Sequence, residues 1–251
     1  MIAAQSPGDP PIAAVSDAHA GQRRYLRTLA VLFAIWWIAL SIAPWYRKDW
    51  ALENALVVAF VVFGALTYRR LVLSRLSYTL VFAFLCLHEV GAHYTYAEVP
   101  YDAWFEALTG VTFNSLVGWQ RDNYDRVVHF LWGLLIAYPI REIFMRAGGL
   151  RGFLSYFVPL TFMMASSALF ELFEWAAAEV FGGDLGQAYL GTQGDVWDAH
   201  KDMALASLGA LLALLATWAR ERDRALRFTR ADGDEAARAA GIAQASERSM
   251  H

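Results

Sequence analysis

The chain has 251 residues, 57% of them hydrophobic and only 18% charged, with a mean hydropathy of +0.32. A soluble domain of this length needs more polar surface, so the composition excludes an ordinary water-soluble globule, and a formal net charge of −3 argues against a nucleic-acid partner. The single cysteine, Cys86, lies in an apolar run, can form no intramolecular disulfide, and does not report the redox compartment.

The first stretch, Met1 to Gly21, is rich in Ala, Pro and Ser without an apolar run, and reads as part of a disordered tail over residues 1–26. Arg23, Arg24 and Arg27 then precede a long apolar segment. A secretory signal cleaved after Ala39 or Ser41 has the same layout, but its leader would be too long and more spans follow. Runs able to cross ~30 Å of hydrocarbon at ~1.5 Å per residue recur six times. They cover Thr28 to Pro44, Leu52 to Tyr68, Leu76 to about Tyr96, Val127 to Met145, Phe153 to Phe181 and Met203 to Trp218. The expected fold is all-α: a polytopic membrane bundle of about six transmembrane helices over residues 27–219, followed by a charged tail, 220–251.

Orientation follows from Lys and Arg. Arg23, Arg24 and Arg27 lie before the first span, Arg69, Arg70 and Arg75 between the second and third, and Arg141, Arg146 and Arg151 between the fourth and fifth. Five more arginines, Arg220 to Arg230, follow the sixth, while the alternate loops hold only Arg47, Lys48, Arg121, Arg126 and Lys201. Both termini are expected in the cytoplasm of a bacterial inner-membrane protein, with the first, third and fifth loops outside.

The third loop carries Tyr101, Trp104, Phe105 and Leu108 at i, i+3, i+4 and i+7, one face of a helix. It is expected to lie in the outer interface as an amphipathic lid, an ordinary aromatic belt being the alternative. The fifth loop, Gly182 to Ala199, is glycine-rich and carries Asp184, Asp195 and Asp198. The Ala/Arg-rich C-terminal tail reads as a solvated helix.

Charged residues inside hydrocarbon cost at least ~2.5 kcal/mol each on insertion scales, so they face a bundle interior and find partners. Depth arithmetic gathers them at the outer end. Glu89 and His93 lie ~20–25 Å up the third span, and Glu171 and Glu174 ~27–32 Å along the fifth. Asp125 and His129 open the fourth span, while Asp198, Lys201 and Asp202 open the sixth. Glu89/His93, Asp125/His129 and Asp198/Asp202 are spaced i,i+4 and Glu171/Glu174 i,i+3, so each pair shares a helix face. Only one of His88 and His93 is expected to point inward with Glu89. His88-Glu89 does not open a zinc-protease motif, because the second histidine comes one place too late.

Mixed carboxylate and imidazole sets suit zinc, iron or manganese, and pure oxygen sets magnesium or calcium. The alternative is an interhelical ion-pair network in which Arg126 and Lys201 neutralise carboxylates. Acids outnumber bases in this layer, so protons, water or a cation must make up the difference. Ser166 and Ser167 read as close-packing residues, Pro139 and Pro159 as kinks, and Arg141 with Glu142 as an interface pair. His19, His200 and His251 have no motif support, and Gly191, Gly194 and Gly209 read as turn or packing positions.

The run Leu87 to Tyr96 (LHEVGAHYTY) resembles the YjdF-like family of bacterial inner-membrane proteins of unknown function. So do Asn123-Tyr124-Asp125-Arg126 with His129-Phe130, Glu171 to Trp175, and Gly194 to Asp198 with Lys201-Asp202-Met203, in order over about Arg27 to Trp218. The second half also looks like the broader VanZ-like group, associated with glycopeptide resistance and the cell envelope. It departs there in having Arg126 where a Lys is usual, and in lacking a clear Asn near the start of the last span. The resemblance implies a fold and a compartment but no reaction.

The leading expectation is an outward-facing site, with a divalent metal as its candidate cofactor, acting on an amphipathic, lipid-linked or phosphorylated small substrate. Glu89, Glu171 and Asp198 are the catalytic candidates; Arg126, Lys201 and Trp197 would bind substrate; His93, Asp125, His129, Glu174, Asp195 and Asp202 are the candidate metal ligands. Two other classes stay open: a proton- or cation-coupled transporter, and a structural or partner-binding membrane protein.

Overall fold

The computed structural model describes residues 12–68, 70–181 and 192–249, with side chains over 20–68, 70–180 and 192–227. Among the described residues every regular element is helical. Six long helices are α1 (Ile12–Ser41), α2 (Arg47–Thr67), α3 (Arg75–Tyr94), α6 (Tyr124–Gly148), α7 (Leu154–Phe181) and α8 (Asp198–Ser249). Two short ones, α4 (Tyr101–Thr109) and α5 (Phe113–Val117), follow a single 3₁₀ turn at Tyr96–Glu98. Each long helix contains a stretch long and apolar enough to cross a membrane, as expected for the six apolar runs. Their outer faces remain apolar: Leu32, Ile35, Phe63 and Phe173 stand exposed, a surface that only hydrocarbon solvates without penalty.

Helix α1 begins at Ile12, so the stretch read from composition as disordered up to residue 26 is helical from that point on. The C-terminal segment continues α8 without interruption to Ser249. Pro139 and Pro159 lie inside α6 and α7, both buried, and each helix runs through its proline. Helix α2 starts at Arg47, about a turn and a half before the expected span, and that extra length carries Asp49 into the interior.

The α6–α8 interface is the most extensive in the bundle; α3 packs on the other side of α6, and α7 closes the groove between α6 and α8. Ile136, Ala137, Met163, Ala210 and Leu214 form the apolar core where α6, α7 and α8 meet. Small residues bring α6 and α8 together. A Cβ on Gly133 would fall 1.9 Å from the Ala206 carbonyl oxygen, and one on Gly209 would fall 2.1 Å from that of Phe130. In lipid, helices associate by such backbone approach, because apolar side chains gain little by leaving hydrocarbon.

The end of the bundle opposite α4 and α5 is closed by polar side chains. Glu142 of α6 accepts from the Ser74 backbone N–H (2.9 Å) and hydroxyl (2.9 Å) and from the Ser77 hydroxyl, and Arg146 pairs with it at 2.6 Å. It thus supplies an anion at the N-terminus of α3, where the helix leaves backbone N–H groups unpaired. Arg141 pairs instead with Glu221 of α8 at 2.8 Å and stacks on the Tyr156 ring. Arg141 and Glu142 therefore serve two separate contacts and do not pair with each other. Arg69, Asp184, Gly186, Gly191, His19 and His251 lie outside the residues whose side chains are described.

Candidate functional site

At the opposite end, beneath α4 and α5, the ionisable residues sort into three groups. The first is centred on His129. Asp125, His129 and Gly133 follow one another at i,i+4 along the face of α6 that the glycine contact presses against α8. His129 Nε2 lies 3.4 Å from Asp125 Oδ1 and 3.6 Å from Glu171 Oε1 of α7. Asp202 of α8 completes the group: one potential ligand atom from each of Asp125, His129 and Asp202 lies within 4.8 Å of the others, and all three residues are buried. Asp202 Oδ1 and Glu171 Oε1 have no hydrogen-bond partner. Glu174, one turn further along α7, is buried as well.

Four donors around a divalent ion at ~2.0–2.2 Å in tetrahedral array stand ~3.3–3.6 Å from one another. The His129–Asp125 and His129–Glu171 separations are of that order, whereas Glu171 stands outside the set of three whose ligand atoms all lie within 4.8 Å of one another. The set of one imidazole and three carboxylates has the chemistry of a zinc, iron or manganese site.

The second group lies between α2 and α3. His88 Nε2 faces Glu53 Oε2 at 3.9 Å, and the Tyr96 hydroxyl meets His88 Nδ1 at 2.5 Å. Tyr96 reaches inward because Thr95, at φ 61°, turns the chain back in a conformation that β-branched residues rarely adopt. Its ring lies across Gly91, where a Cβ would meet it at 2.6 Å. Burial drives the Tyr96 hydroxyl well above its ordinary range. Glu89 is fully buried on this side, with neither carboxyl oxygen hydrogen-bonded and the Asn54 amide beside it short of hydrogen-bond geometry. Asn54 is itself held by Trp37 Nε1 and by the Trp50 carbonyl.

Glu89 therefore belongs to the α2 side and not to the His129 group. His93 lies further out, its Nδ1 2.7 Å from the Leu40 carbonyl of α1, and His88 is the histidine that faces inward. Asp49, Glu53, Asn54 and Tyr96 were missed in the sequence reading. The i,i+4 spacing of Asp49 and Glu53 at the head of an apolar run was the signal that could have found the first two.

The third group is an ion-pair belt at the rim. Arg126 Nη2 binds Asp195 Oδ2 (2.5 Å) and Asp198 Oδ1 (2.8 Å), and Arg121 Nη1 binds Asp198 Oδ1 (3.0 Å). Lys201 Nζ binds Asp195 Oδ2 at 2.5 Å. Lys201, then the Trp197 N–H and Arg126, hold the Asp195 carboxyl well below the usual carboxylate range. The two cations read as substrate binders, Arg126 and Lys201, are thus already paired, and so are Asp195 and Asp198. Trp197 is exposed, edge-on to His200.

Over this layer, α4 and α5 form the aromatic helical segment expected from the spacing in the third loop. The Tyr101 hydroxyl donates to Asn114 (2.9 Å) and accepts from the Asn123 N–H (3.1 Å), tying the segment to the start of α6. Asp122 accepts from the Tyr124 N–H at 2.7 Å, and burial raises its carboxyl to about 6. A cavity of about 420 Å³ opens next to the His129 group and is lined by His88, Tyr96, Asp125 and His129 at one end and elsewhere by apolar side chains with Ser166 and Ser167.

Six apolar helices, exposed apolar outer faces and buried ionisable groups define an integral, polytopic membrane protein. The chain belongs to a family described as "predicted membrane protein (DUF2238)", which it matches over residues 25–223. It is 36% identical over 191 residues to the inner membrane protein YjdF of Escherichia coli (strain K12), covering 76% of this chain and 87% of that protein. This places it, like that relative, in the bacterial inner membrane. No solved structure matches it.

Proposed function

We propose that the chain holds a divalent metal between Asp125, His129, Asp202 and Glu171, and acts there on an amphipathic, lipid-linked or phosphorylated envelope substrate. The observation that carries this reading is the convergence of Asp125, His129 and Asp202 ligand atoms within 4.8 Å, buried, from two helices locked together by glycine. An uncompensated cluster of carboxylates in a membrane is costly, and a cation offsets that cost directly. A metal there would polarise a phosphoryl or carbonyl oxygen and activate water, with Glu174, beside the ligand Glu171, as the group to take up a proton. Arg126 would meet a substrate anion only by exchanging Asp195 or Asp198 for it. The arginine distribution supports both termini in the cytoplasm and this site on the outer side.

The test is the metal content of detergent-purified wild type beside Asp125→Asn, His129→Ala and Asp202→Asn variants, with folding followed by circular dichroism. Near-stoichiometric metal in wild type, lost in folded variants, is the expected result. A well-folded wild type that holds none after chelator-free purification overturns the reading. The buried, unpartnered Glu171 Oε1 and Asp202 Oδ1 favour a second reading, because a proton on a carboxyl offsets the cost of burying it as a cation does. In that case the centre is a proton-sharing network of a coupled transporter, and pH-driven solute flux in proteoliposomes is its readout.

A further inference from the structure

The cavity beside His129 has two unlike parts. Its polar end holds His88, Tyr96, Asp125 and His129; the rest is apolar but for Ser166 and Ser167, and runs down α6 from Asp125 to Ile136, eleven residues or ~16 Å. That is about half of a ~30 Å hydrocarbon layer, the depth of one leaflet. Its inner wall is Phe84 of α3 with Trp132 and Ile136 of α6. Its sides are α2 and α7, which pack on α3 and on α6 and α8 respectively and share no extensive contact with each other among the described residues. The rim residues on these two helices, Leu56 and Phe60 of α2 and Leu169 and Phe173 of α7, are all exposed, between 38% and 61%. Since the outer faces of these helices are apolar, the opening between them gives onto lipid. None of the aromatic residues of α4 or α5 lines the cavity, so its opening is not the one those helices cover.

We infer that this cavity receives the hydrocarbon chain of a bilayer lipid, which enters sideways between α2 and α7 and brings its polar head to His129. The inference rests on the proposed function above and names the substrate class of that same site. Three observations point to a lipid chain in place of a water-soluble ligand. Apart from the polar end and the two serines Ser166 and Ser167 of α7, the walls are apolar. That end lies where a lipid of the same leaflet carries its head, and the depth below matches one leaflet. The opening also meets a solvent made of such chains, so entry requires no desolvation of the chain. A water-soluble metabolite would have to cross hydrocarbon to reach the same opening. Ser167, buried on the α7 wall with its hydroxyl unpartnered, is a small side chain that leaves room for the chain.

The test uses the full chain in lipid nanodiscs containing phosphatidylethanolamine with a diazirine at the end of one acyl chain. Irradiation and peptide mass spectrometry then locate the adducts. Adducts on Phe84, Trp132 or Ile136, beside those on the outward-facing Leu32 and Ile35 of α1, are expected. Val57→Trp and Ser167→Leu fill the cavity from opposite walls, and each should abolish the inner-wall adducts while leaving those on α1. Adducts confined to outward-facing residues, or inner-wall adducts that persist in both variants once folding is verified, overturn the inference. Metal content of the same samples separates the two readings: inner-wall adducts on a metal-free protein support the lipid chain and overturn the metal. Metal without inner-wall adducts does the reverse.

Discussion

Gly133 on α6 and Gly209 on α8 sit on the two sides of one helix contact, where a Cβ on either would fall about 2 Å from a backbone carbonyl oxygen of the other helix. The contact lies one turn below His129 and two turns below Asp202, on the same faces, and it brings those side chains together. Ala in place of either glycine would press a methyl group against a carbonyl that no rotamer change can move. Overpacking of that kind costs ~1–3 kcal/mol. Gly133→Ala and Gly209→Ala are expected to lower the thermal unfolding midpoint in detergent and to weaken metal binding, whereas Gly64→Ala, which would meet nothing within 4 Å, should do neither.

Asp198 and Asp202 are one helical turn apart and belong to different groups. Asp198 neutralises Arg121 and Arg126, while Asp202 has an unpartnered oxygen and joins the buried group of Asp125 and His129. Asp198→Asn is expected to destabilise the fold, since losing one partner of a buried pair typically costs ~3–5 kcal/mol, less where the arginines reach water. Asp202→Asn is expected to leave stability nearer wild type and to abolish metal retention. Paired measurements of unfolding and metal content would show whether the two effects separate in this way.

Glu142 joins α6 to the N-terminus of α3 through the Ser74 N–H and the Ser74 and Ser77 hydroxyls. Glu142→Ala leaves these donors without an acceptor, at ~1–3 kcal/mol for a buried group. The expected outcome is faster hydrogen exchange over the first turn of α3, with metal content at the far end of the bundle unchanged.

Asp122 precedes α6 and is raised by burial from 3.8 to about 6. A carboxyl whose folded value lies above its unfolded one holds its proton more tightly in the folded state. Its contribution to stability is fully present below 3.8 and is lost as pH rises through about 6. The unfolding midpoint of wild type should therefore fall relative to Asp122→Asn between these two values. Parallel curves for the two proteins would remove this assignment.

The six spans were legible because hydrocarbon imposes a local demand: every ~20-residue crossing must be apolar, whatever its neighbours. The pairing of Asp125 with His129, the helical aromatic segment after Tyr101 and the packing role of Gly209 were also legible, since each rests on spacing along a single helix. Depth arithmetic placed the acids and histidines in one layer, but depth is only one of two coordinates. The rotation of each helix about its own axis decides which side chains meet, and that depends on contacts between segments far apart in sequence. Gly133 against Ala206 aims His129 at Asp202, and Tyr96 folded over Gly91 commits His88 to the α2 side with Glu53. Glu89 consequently turns toward Asn54, His93 toward the Leu40 carbonyl, and Arg126 to Asp195 and Asp198. The sequence by itself determined the membrane, the number of candidate crossings and the end of the bundle at which the charged residues gather. Only the tertiary structure decided which of them share a site, because partner choice in a bundle is set by interhelical packing that no single segment encodes.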